Sequence, residues 1–236
     1  MNICNTALEA SCKELINVYE MDPVDLTFLR QFVVMLITAC LTSRLGLSIS
    51  DKAANGKTLW EDNKKTLILM GFIGAVCYLA SAVACDILPL TIWFVMVSTL
   101  PFVDGILQFC FLGVRMDKVS IFVTAISFAI IVALTRAEDA DDDVYSDDDY
   151  THAYTLGIVL ASVATITHAG MDLTTHVMQE LNILLMLEYF SYVQITVFLG
   201  VMLAQFCITG QLPFAMVWSL ESVLLLAVSI LSCLVG

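Results

Sequence analysis

Residues 67–88 read LILMGFIGAVCYLASAVACDIL, an apolar stretch with one charged side chain, Asp86. About 20 residues of helix cross a hydrocarbon core of about 30 Å, so this stretch is long enough to span a bilayer. Inside lipid every backbone N–H and C=O must find a partner within the protein, which leaves helices and closed barrels. A barrel strand would be about 10 residues of alternating apolar and polar side chains, and this run does not alternate. It therefore predicts a transmembrane helix. Six more runs of the same kind flank it: Leu26–Ser43, Leu90–Gly113, Val119–Thr135, Ala153–Met171, Ile183–Ala204 and Leu212–Val235.

The whole composition agrees with that reading. The 236 residues are 59% hydrophobic and 14% charged, with a mean hydropathy of +0.89. A soluble domain carries about 45–50% apolar and about 25% charged residues. The fold class expected is an all-α membrane protein, a multi-pass bundle of seven to eight transmembrane helices. The eighth is the stretch Ile3–Tyr19, which is helix-compatible but carries Glu9, Lys13 and Glu14. It reads either as an interfacial helix or as a span whose polar face lines a cavity.

The net charge of −13 gathers in one segment. Glu138, Asp139, Asp141, Asp142, Asp143, Asp147, Asp148 and Asp149 lie between Arg136 and His152. Such runs usually stay solvated. Calcium is the sharper alternative, but the glycine turn and closing glutamate of an EF-hand are missing. Three parts follow: 1–135, the acidic loop 136–152, and 153–236. Without a basic face, nucleic acid is not an expected partner. Basic residues cluster in the loops holding Arg44, Lys52, Lys57, Lys64, Lys65, Arg115 and Lys118, which the positive-inside rule places in the cytoplasm. The acidic loop then faces the lumen or exterior. The first 25 residues carry too many charges for a cleavable signal peptide. Six of eight cysteines lie in or beside apolar runs, where cysteine acts as a small hydrophobe, so they do not reveal the compartment.

MDPVDLTFLRQF at 21–32 looks like the opening of the second helix of the EamA-type drug/metabolite transporter family. GFIGAVCYLASAV at 71–83 with LPLT at 88–91 resembles its third helix and short turn. STLPFVDGIL at 98–107, followed by FLGVRMDK at 111–118, resembles its fourth helix and the "LGER" signature beyond, although Val114 replaces the glutamate and Asp104 is an addition. The resemblance implies ten helices in two inverted five-helix repeats, of which this chain carries an incomplete set, from within helix 1 through helix 8. DLTFLRQF at 25–32 and LEYFSYV at 187–193 form a weak internal echo of such a repeat.

Polar groups inside the runs supply the candidate site, because an ionisable side chain at the bilayer centre costs about 2.5–3.5 kcal/mol on insertion scales and turns toward a cavity or partner. Arg30 either snorkels to the interface or faces a central cavity and attracts an anionic group. Lys13 is the second cation, or a plain interfacial lysine. Asp104, too deep to snorkel, is expected to be protonated or paired, serving proton coupling or a bond to a neighbouring helix. His168 and Asp172 share a helix face at i, i+4, as a proton-sensitive pair or a structural contact. His176 continues the stripe, but three successive i+4 ligands make poor tetrahedral geometry, so no metal is expected. Glu188 and Glu221 are carboxylates in the last two spans, with Tyr189, Tyr192 and Gln194 nearby, and Tyr78 offers an aromatic wall. Trp93 and Trp218 read as interfacial anchors. Gly71 and Gly74 permit a close helix contact. The substrate-binding set is thus Lys13, Arg30, Tyr78, Asp104, His168, Asp172 and Glu188.

No catalytic constellation and no cofactor motif is present, so an enzyme is not expected. The function expected is transport of a small polar solute by alternating access. The competing expectation is a membrane subunit or scaffold without flux, or a fragment, built on a shortened transporter fold. Partners expected are the lipid bilayer, a small-molecule solute, and a second copy or a larger membrane complex.

Overall fold

The computed structural model describes residues 11–19, 21–50, 58–114, 148–178 and 181–210, single positions between 118 and 133, and residues 221 and 223–228. Among them the regular elements are helices: α1 (11–17), α2 (Pro23–Leu45), α3 (Leu59–Ile87), α4 (Leu90–Ser98), α5 (Leu100–Leu112), α6 (Asp148–Val177) and α7 (Ile183–Thr209). Five stretches are long and apolar enough to cross a membrane: Pro23–Leu45, Leu59–Ile87, Ile92–Leu112, His152–Val177 and Ile183–Thr209. They coincide with five of the apolar runs, and the architecture is that of an all-α membrane protein. The runs Val119–Thr135 and Leu212–Val235 lie largely outside the described residues, as does most of the acidic loop.

Local chemistry sets the helix boundaries. The Asp22 side chain accepts from the Val24 amide at 2.7 Å and Pro23 fills the first turn of α2, both favoured at a helix start. Gly46 closes that helix at φ 65°, a left-handed conformation costly for other residues. Thr58 and Glu61 form a reciprocal capping box at the start of α3. Asn182 caps α7, accepting from the Leu184 amide at 2.9 Å.

The run Leu90–Gly113 departs from a continuous helix. It is interrupted at Thr99, giving α4 and α5, because Pro101 has no N–H to donate to the Val97 carbonyl. Hydroxyls take up slack there: Ser98 Oγ donates to the Phe94 carbonyl and Thr99 Oγ1 to the Met96 carbonyl, each at 2.7 Å.

α3 is the hub, packed along α6 and α7, while α2 lies along α7 and α5 along α6. Cross-contacts fix directions. A Cβ on Gly157 would touch Leu88, Cys77 Sγ reaches the Ala164 carbonyl, and Ile73 faces Gly170, so α3 and α6 run antiparallel. α6 ends at Val177 and α7 begins at Ile183, so the chain turns back and α7 runs with α3. α2 opposes α7, with Gln205 bonded to Asp22 at one end (2.7 Å) and Thr42 bonded to Glu188 at the other (2.6 Å).

The burial pattern inverts that of a soluble bundle. Phe72, Phe109 and Leu203 are each more than half exposed, while Gln31, Thr38, Thr42, Ser191 and Gln194 are buried. In water such a surface would aggregate; against acyl chains it carries no cost. Trp93 corrects the anchor expectation. It is 2% exposed, lying with Leu88 and Ile92 in a core that includes Ala80, Ala84, Ala161 and Ala164, whose small side chains clear room for the indole.

Candidate functional site

The inward face of α2 is polar. Thr27, Gln31, Thr38 and Thr42 recur at i, i+4, i+11 and i+15, a spacing that keeps them on one side of a helix, and all are buried. Thr27 and Thr38 return their hydroxyl protons to the carbonyls of Pro23 and Val34, at 2.6 and 2.9 Å. Each hydroxyl is thereby satisfied within its own helix.

Arg30 belongs to this face. It is 7% exposed, so the snorkelling alternative does not hold. Its Cζ lies 4.8 Å from the centroid of the Tyr78 ring on α3. A cation over an aromatic face is worth about 0.5–1 kcal/mol at exposed sites and about 2 kcal/mol when desolvated. Its Nη1 also approaches Cys12 Sγ of α1 at 3.9 Å. Tyr78 meets the edge of Phe190 on α7, with centroids 6.5 Å apart.

Gly74 makes the next link. A Cβ there would lie 2.4 Å from Phe190 Cε2 and 2.5 Å from Gln194 Nε2. A Cβ on Gly71 would lie 2.5 Å from that of Val193. These two glycines let α7 press onto α3, as their spacing anticipates, and they bring the Gln194 amide against the α3 backbone. Gln194 is fully buried, and neither Nε2 nor Oε1 has a hydrogen-bond partner among the described residues. Cys12, Arg30, Tyr78, Phe190, Gly74 and Gln194 therefore form a continuous series across α1, α2, α3 and α7.

The other predicted site residues fall elsewhere. Lys13 donates to the Leu88 carbonyl, where it ties α1 to the end of α3. Glu188 occupies the opposite end of the bundle, accepting from Thr42 Oγ1 at 2.6 Å and Tyr192 Oη at 3.1 Å. Asp104 of α5 lies within electrostatic range of Asp172 of α6, as do His168 and His176. Asp104 Oδ2 accepts from Gln108 of its own helix at 2.8 Å, and Oδ1 is buried without a hydrogen-bond partner among the described residues. The expected bond from Asp104 to a neighbouring helix is thus replaced by one within α5. Of the seven residues, the fold joins Arg30 with Tyr78 directly, groups Asp104, His168 and Asp172 on the α5–α6 side, and separates Lys13 and Glu188 from both.

Sequence reasoning about ionisable groups missed the amide of Gln194 as a site member and the hydroxyl stripe of α2. The stripe's spacing was the available signal. Tyr19, whose hydroxyl donates to Glu221 at 2.9 Å, was missed also, since that pairing joins residues about 200 positions apart.

No protein-family model matches the chain, and no curated protein matches it in sequence.

Proposed function

We propose that this protein is a transporter-like membrane protein that moves a small polar solute bearing an anionic group by alternating access. One observation carries the reading. A guanidinium lies buried beside Tyr78 within a candidate span, and a fully buried amide with no hydrogen-bond partner among the described residues lies on the same aromatic series. Burying polar groups at this depth is expensive, and intramembrane ionisable residues mark solute or proton pathways. Arg30 would hold the anion, Tyr78 and Phe190 would wall the path, and Gln194 would supply a donor and an acceptor. The Asp104–Asp172–His168 group on the other side of α3 suits proton coupling.

The resemblance to EamA-type transporters supports the same reading, together with seven to eight spans, an incomplete inverted repeat, and basic loops in the cytoplasm. Uptake into proteoliposomes tests it, using labelled monocarboxylates, dicarboxylates, phosphate esters and nucleotide sugars. Flux of at least one anionic class is expected, with loss of saturable uptake in Arg30→Gln and partial retention in Arg30→Lys. Flux that is unchanged in both variants rejects the assignment. Absence of any flux together with a stable larger complex selects the scaffold reading.

A further inference from the structure

We infer that the cleft between α3 and α7 at the Thr42–Glu188 end holds the quaternary-ammonium headgroup of a membrane phospholipid. The cleft has a volume of about 210 Å³ and is lined by Trp60, Tyr189 and Tyr192, with Ile68 and Val193 among its walls. Drug-sized ligands occupy about 300–1,000 Å³, so the space suits a headgroup and its first carbons.

The three rings form one aromatic surface. Trp60 and Tyr189 lie 5.6 Å apart at 42°, and Tyr189 and Tyr192 lie 5.7 Å apart edge to face. Aromatic surfaces of this kind recognise quaternary ammonium, a cation with no N–H to donate, through the negative faces of the rings. The Tyr192 hydroxyl donates to Glu188, which places a carboxylate behind that surface and enriches the phenol ring in electron density. Charge complementarity thus favours a cation.

Position favours a lipid over a free cation. Trp60 stands in the first turn of α3, at a helix end, whereas Ile68 is half exposed on the apolar run. The cleft therefore runs from the headgroup level, where Trp and Tyr concentrate, toward the acyl chains. Lys64 lies one turn from both Trp60 and Ile68 on the same stripe of α3 and is exposed, within reach of a lipid phosphate. Aromatic rings, a carboxylate behind them and a lysine alongside match the two charges of a phosphocholine group.

The test is native mass spectrometry of the full-length protein in a mild detergent. It is titrated with phosphatidylcholine, with phosphatidylethanolamine and phosphatidylglycerol of the same chains, and with tetramethylammonium. Phosphatidylcholine is expected to bind at about tenfold lower concentration than the other lipids, as desolvated cation–π contacts allow. Tyr189→Leu and Trp60→Leu should erase that preference, Trp60→Tyr should keep it, and Tyr192→Phe, which keeps the ring and loses the bond to Glu188, should be intermediate. Equal binding of the three lipids overturns the inference. So does displacement of phosphatidylcholine by equimolar tetramethylammonium, which would indicate a free cation as ligand. If Trp60→Leu fails to fold, Trp60→Tyr and Tyr192→Phe still decide the outcome.

Discussion

Replacing Gln194 by Met should make the protein more stable and less active. The side chains are similar in length, so Phe190 and Gly74 keep their neighbour, but the amide is gone. Both amide atoms are buried without hydrogen-bond partners among the described residues. Protein mutational data put a buried unsatisfied polar group at about 1–3 kcal/mol. Taking about 2 kcal/mol, and about 2–4 °C of Tm per kcal/mol for a chain of this size, the variant should melt about 4–8 °C higher. The native thiols allow the melt to be followed in detergent with a thiol-reactive dye. Uptake is expected to fall at least tenfold at low solute, with an elevated KM. An unchanged or lower melting temperature would refute the energetic reasoning, because the amide would then have native partners. A higher melting temperature with full uptake would refute its role in solute binding.

Further expectations follow from the same contacts. Gly74→Ala forces a Cβ into Phe190 and Gln194 and should cost about 1–3 kcal/mol as overpacking, whereas Gly200→Ala, with nothing within 4 Å, should gain about 0.5–1 kcal/mol from helix propensity; thermal melts of the two separate the signs. Asp22→Ala removes the cap of α2 and the partner of Gln205, and should lower stability by about 1–3 kcal/mol from lost cap and lost bond together. A double-mutant cycle of Thr42→Val and Glu188→Leu should give a coupling of about 0.5–3 kcal/mol; a coupling near zero would show that the α2–α7 contact at that end contributes nothing.

Much of the fold could be read from the chain because the membrane imposes a length rule. Five apolar runs fall on helices, although the helices extend past them, α3 beginning at Leu59 rather than Leu67 and α6 ending at Val177 rather than Met171. The Asp22–Pro23 and Thr58–Glu61 pairs sit where caps belong. The site was less accessible. Charge drew attention to Lys13, Glu188 and Asp104, yet hydrogen bonds to Leu88, Thr42 and Gln108 occupy them in three different places. Those partners depend on which helices become neighbours, which hydropathy does not encode. Trp93 looked interfacial because it opens a run. The tight Leu88–Pro89 turn instead folds α4 back beneath the alanines of α3 and α6. Arg30 and Tyr78 were each visible as candidates, but their stacking needed α2 and α3 to be set side by side.

The interruption at Thr99 gives the bundle unequal stiffness. α2 and α7 are pinned at both ends, by Asp22 with Gln205 and by Thr42 with Glu188, so that pair resists bending. The α4–α5 span is two short rods with a single residue, Thr99, between them. A bend of that span is easiest at Thr99, where Pro101 leaves the Val97 carbonyl without its helical partner, and such a bend would move Asp104 with the second rod. The molecule thus has a pinned wall carrying Arg30 and Glu188 and a less constrained one carrying Asp104.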